Sequence, residues 1–263
     1  SYEAPEVMEW RNKALTGRNW FRDNGVSFNR HYTGSLACVP SRPTLFTGQF
    51  PDVHGVTQTD GLGKDADDSR MRWLAPREVP TLGHWFRAAG YDTHYDGKWH
   101  ISHADLIDES TGQPLATNTA DGTIIQDAVE RYLEINPLNE YGFSGWVGPE
   151  PHGGLLGNSG IIRDPLIADR TVQWLEDRYK RRNQGDSDAL KPFLLVVSFV
   201  NPHDIVLLPL YMRRPENNPY SPSNLDPPDI PKPPTRYEDL SSKPAAQIAY
   251  KHSYYSGYGI QRA

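Results

Sequence analysis

Apolar residues along the chain fall into two periods. At near-helical spacing lie Val7, Trp10, Leu15, Trp20 and Phe21 within 6–23, which predicts a helix ending at Asn24-Gly25. The same spacing predicts a helix over 80–89 (Leu82, Trp85, Phe86, Ala89) with Gly90 just past its end. A third covers 121–135, with Ile124, Ile125, Ala128, Val129, Tyr132 and Leu133 as one stripe. A fourth runs from an Asp164 cap with Pro165 in its first turn to about Arg182, with Ile167, Trp174, Leu175 and Tyr179 facing in. Strand signals are fewer: a short one at Val26-Ser27-Phe28, alternation at Tyr91, Thr93 and Tyr95 broken by Gly97, and the continuous run PFLLVVSFVNPHD from Pro192 to Asp204. An unbroken apolar run bounded by proline predicts a strand buried on both faces. Helix, glycine, strand and polar loop in that order is half of a βαβ unit, so the expected class is α/β, a mostly parallel sheet flanked by helices.

Composition adds looseness to this frame. Hydrophobic residues make up only 37% of the 263 residues, and the 23 prolines concentrate over 209–244. Residues 205–245 therefore read as an extended segment wrapping a core. Glycine and aromatic residues over 141–160 read as a long loop, and the charged stretch 64–72 as a solvated one. A net charge of −6 is no footprint for nucleic acid or an anionic membrane, so neither is an expected partner. An anionic substrate would have to be drawn by local positive charge. With one cysteine and no signal-peptide pattern in the first residues, the compartment stays open.

That cysteine opens CVPSRPTLFTG, Cys38–Gly48. Pro40 suits a first helical turn and Gly48 a helix stop, which puts the thiol at a helix N-terminus, where N–H groups and the macrodipole favour an anion. Arg42 lies four residues on, on the same face. Lone cysteines are ordinarily small buried hydrophobes. Here C-x-P-S-R-x-x-x-x-T-G resembles the signature of the type I sulfatases of the alkaline phosphatase-like superfamily. GYDTHYDGKWH at 90–100, FLLVVSFVNPHD at 193–204 and the proline-rich stretch at 227–247 follow in that family's order, so the likeness covers most of the chain. Lys98, His100 and His203 would all sit in loops at carboxyl ends of strands, where open parallel sheets bind ligands.

The resemblance implies roles. Cys38, oxidised to formylglycine by a formylglycine-generating or sulfatase-maturating enzyme, would be nucleophile and metal ligand. Arg42 would hold its hydrate, Lys98 would contact hydrate and sulfate, His100 would accept a proton, and His203 would bind sulfate and assist the leaving group. The expected substrate is a small-molecule sulfate ester. Phosphonate monoester hydrolases and related phosphodiesterases share the nucleophile, and a non-catalytic chain with an unmodified thiol is a further alternative. The family's metal, Ca²⁺ or Mg²⁺, needs an Asp-Asp pair on a first strand and an Asp with Asn, His or Gln on a later one; neither is found in this sequence. The expectation is therefore an incomplete, N-terminal portion of a sulfatase-like catalytic domain over 1–263. His103 and Asp105 extend His100 into H-x-x-H-x-D, to which the resemblance gives no ligand role.

Overall fold

A computed structural model describes residues 5–61, 64–151, 155–207 and 237–257. They fall into two compact units, Ser1–His31 with Leu208–Ala263, and Tyr32–Leu207. Most of the proline-rich wrapping segment lies outside the described residues.

In the first unit the predicted 6–23 helix is two helices, α1 (Pro5–Ala14) and α2 (Thr16–Asn24), broken at Leu15, whose backbone leaves the helical region. Val26-Ser27-Phe28 forms no strand: Val26 and Phe28 are largely exposed, and no strand among the described residues offers them a ladder. The end of the described chain is a helix, Ala245–Gly257, where the sequence shows no evident element.

The second unit carries α3 (Cys38–Thr47), α4 (Pro51–His54), α5 (Leu82–Ala88), β1 (Asp92–Gly97), α6 (Gln126–Ile135), α7 (Gly160–Asn183), α8 (Ser187–Leu190) and β2 (Phe193–Ser198). Gly48 closes α3 in the left-handed conformation, as its glycine predicts. Thr81 caps α5 reciprocally with His84. Trp85, expected inward, is mostly exposed, and Gly83 takes the buried position because its missing Cβ lets the Gly142 carbonyl approach. The helix expected from 121 begins only at Gln126; Ala128, Val129 and Tyr132 are buried, whereas Ile124, Ile125 and Leu133 are exposed. Asp164 does not cap α7, which starts at Gly160. Its carboxylate instead accepts the N–H groups of Val200 (2.6 Å) and Asn201 (3.0 Å), tying α7 to the loop after β2.

β1 and β2 pair in parallel, from Asp92 opposite Phe193 to Gly97 opposite Ser198. β2 is half-buried at every position rather than sealed on both faces; among the described residues it has β1 on one edge only. α5 and α7 pack on β1, and α7 also reaches β2. The register brings Gly97 so near its partner that a Cβ would lie 2.1 Å from the Ser198 carbonyl oxygen, and its φ of +95° is open to glycine alone.

Beneath the strand ends lies a quartet of rings. Phe46, Tyr95, Trp99 and Phe143 all touch one another, with centroids 5.3–6.1 Å apart. Tyr141, Phe143 and Trp146 show that the glycine-rich stretch expected as a loop supplies core. No helix among the described residues is long and apolar enough to cross a membrane.

Candidate active site

Parallel pairing delivers the ends of β1 and β2 to one place, and α3 brings its N-terminus there. Beyond Gly97 the chain turns through Lys98, Trp99 and His100, the last with φ +50°; beyond Ser198 it reaches His203 in a short 3-10 helix, His203–Leu207. Trp99 plunges into the ring quartet, so its neighbours Lys98 and His100 are held by a buried anchor.

The half-buried Cys38 thiol has His100 and His203 within hydrogen-bonding reach. Those two contacts, helped by the charges of Lys98 and His203, outweigh burial and pull the thiol down from the ordinary cysteine range to about 5. Each histidine is backed by a carboxylate. His100 Nε2 lies 3.1 Å from Asp60 Oδ1; burial pushes the ring down, and the bonds to Asp60 and Cys38 more than reverse this, so His100 stands above the usual range. His203 Nδ1 lies 3.1 Å from Asp204 Oδ1, which, with the Cys38 bond, lifts His203 to about 9. Asp204 is fully buried and its other oxygen accepts the Gly160 N–H at the start of α7 (2.7 Å), which fixes it.

Lys98 is almost completely buried, and its Nζ has no hydrogen-bond partner among the described residues. Burial lowers its pKa against the pull of Glu150 and Cys38. Arg42 sits deeper. Its Nε donates to the Trp99 carbonyl (2.5 Å), and one terminal nitrogen donates to Tyr95 Oη (2.8 Å), Ser198 Oγ (3.1 Å) and the Lys98 carbonyl. It is thus a strut joining α3 to both strand ends. His54, beside the cysteine helix, is buried against Thr44 and the Val56 amide.

The structure therefore brings Cys38, Arg42, Lys98, His100 and His203 together. Sequence reasoning missed Asp60, Glu150 and Asp204. Asp204 could have been suspected from its adjacency to His203; Asp60 and Glu150 lie in turn-rich stretches with no local signal. His103 and Asp105 are separately engaged: the His103 ring lies tilted against Trp73 with centroids 4.8 Å apart, and Asp105 accepts the Glu150 N–H at 2.7 Å.

Chemically, an ammonium and two histidines around an acidic thiol describe a receptor for a tetrahedral anion. They do not describe a calcium or magnesium cage, which calls for several oxygen ligands. Among the described residues no group of three His, Cys, Asp or Glu side chains is assembled to hold a metal ion.

The α/β unit thus gathers a cysteine, a lysine and two histidines at parallel strand ends. The chain matches the family described as Sulfatase over residues 9–256. It is 30% identical over 185 residues to the uncharacterized sulfatase YidJ of Escherichia coli K12, covering 68% of this chain and 31% of that protein. It is 25% identical over 198 residues to a choline-sulfatase of Rhizobium meliloti, covering 73% of this chain and 33% of that one. Arylsulfatase K of Danio rerio is 24% identical over 222 residues, covering 77% and 35% respectively. The chain belongs to the sulfatase family, and through it to the alkaline phosphatase-like superfamily. It spans about a third of the length of these relatives.

Proposed function

We propose that the full-length protein hydrolyses a sulfate monoester through a formylglycine made from Cys38. The observation that carries this reading is the convergence of His100 and His203 on Cys38, with the partnerless Lys98 ammonium buried beside it. The thiol sulfur stands where an attacking hydroxyl of the aldehyde hydrate would stand.

In this reading one hydrate hydroxyl loses its proton to solvent as its oxygen forms a bond to sulfur, and the S–O bond to the alcohol breaks. The departing alkoxide takes a proton from His203, whose protonated form is favoured by its Asp204 partner. Lys98 meets the charge on the equatorial oxygens. His100, oriented by Asp60, then removes the proton of the second hydroxyl; the C–O bond to sulfate breaks and the aldehyde is restored. Arg42 acts by bracing the turn that presents Lys98 and His100 and by holding the hydrate. The enzyme that matures Cys38 supplies the oxidation. Sulfatases take Ca²⁺ or Mg²⁺, and among the described residues the modified Cys38 would be the one ligand; no step above runs through the metal.

A phosphonate monoester presents a similar tetrahedral anion. Turnover of an aryl sulfate and a matched aryl phosphonate monoester by the matured full-length protein separates the two. Faster sulfate release supports the reading, and no sulfate release overturns it.

A further inference from the structure

Glu150 lies in none of the sequence motifs, yet its carboxylate sits under the turn that carries both Lys98 and His100. Its Oε2 accepts two successive backbone N–H groups, those of Trp99 (3.0 Å) and His100 (2.9 Å). Successive N–H groups that converge in this way, beside a left-handed residue, make a concave anion acceptor. Here a protein carboxylate fills it.

Glu150 is itself immobilised. Its N–H donates to Asp105 Oδ1 (2.7 Å), its carbonyl accepts from Asn158 Nδ2 (2.6 Å), and the preceding Pro149 carbonyl accepts from the buried Arg163 (3.2 Å). The backbone of Glu150 is therefore fixed to the body of the unit, and its carboxylate ties the turn to that body. His100 holds its strained φ of +50° while its ring is gripped by Asp60 and its amide by Glu150.

We propose that Glu150 is a positioning residue that sets the Lys98–His100 turn, and so aims both side chains at Cys38. Its consequence for turnover rests on the sulfatase reading above; the anchoring itself does not. What matters in this role is an acceptor oxygen at full reach, more than a negative charge.

Two substitutions in the full-length, matured protein divide those properties. Glu150→Gln keeps a carbonyl oxygen at the same reach without the charge. Glu150→Asp keeps the charge and withdraws it by one methylene. With an aryl sulfate, Glu150→Gln should stay within about tenfold of the parental kcat, and Glu150→Asp should fall by about 10²-fold with little change in KM, the loss typical of a misaimed catalytic group. Amide hydrogen exchange gives a readout without turnover: Trp99 and His100 should exchange faster in Glu150→Asp and at the parental rate in Glu150→Gln, with β1 protection unchanged in both. Parental kcat and parental exchange in Glu150→Asp, or equal loss in both variants, would overturn the proposal. A parent that releases no sulfate would sink the sulfatase reading, while the exchange comparison still decides Glu150.

Discussion

Asp60 Oδ1 lies 3.1 Å from His100 Nε2, across 40 residues of sequence, and so fixes the ring that faces Cys38. A carboxylate behind a histidine sets its orientation and favours its protonated form. Asp60→Ala should therefore lower kcat for an aryl sulfate by about tenfold to a hundredfold with a smaller effect on KM, as expected for lost aim. Steady-state kinetics on the full-length protein checks this, and an unchanged kcat would remove Asp60 from the account.

In protein carrying an unconverted Cys38, the thiol should behave as a thiolate down to about pH 5, because His100 and His203 both donate to it. Alkylation by iodoacetamide should run at a nearly constant rate from pH 8 to pH 6 and fall below about pH 5. An ordinary thiol would lose about tenfold in rate for each pH unit over that upper range.

His203 has its pKa raised to about 9 by Asp204 and Cys38, against about 6.5 for a free imidazole. A raised value means that the stabilisation is fully present below about pH 6.5 and is lost as pH climbs through about 9. Asp204→Asn should thus lower the thermal midpoint most at pH 6, with the gap from the parent narrowing towards pH 9.5. NMR titration of His203 should show its pKa falling in the variant. A gap independent of pH would contradict the pairing.

Trp99 joins core to site. Truncating a fully buried aromatic side chain costs about 3–5 kcal/mol, and Trp99 contacts all three other rings of the quartet. Trp99→Ala should lose about that much in urea unfolding, whereas Trp99→Phe should lose clearly less and retain much of the activity.

How far the sequence disclosed this arrangement depended on how local each signal was. The Cys38 helix, its Gly48 stop and the glycine ending β1 were legible because each rests on a backbone demand that one residue type meets. Lys98, His100 and His203 were legible because they follow strand signals directly. Asp60 and Glu150 were not, since each acts on the 98–100 turn from a distant loop and nothing in its own neighbourhood marks it. Asp164 misled for a related reason: Asp-Pro is a sound helix-start signal, but this carboxylate caps the loop after β2. Ile124, Ile125 and Leu133 fit a helical stripe by spacing alone, yet the first two precede α6 and all three are exposed.

The central claim is that Cys38 becomes the nucleophile. It is tested most directly by peptide mass mapping across Cys38 in full-length protein purified from its native host, paired with sulfate release by the same preparation. The account predicts an aldehyde in place of the thiol, and sulfate release that disappears in Cys38→Ala. An intact thiol in protein that releases sulfate, or release undiminished in Cys38→Ala, would contradict it.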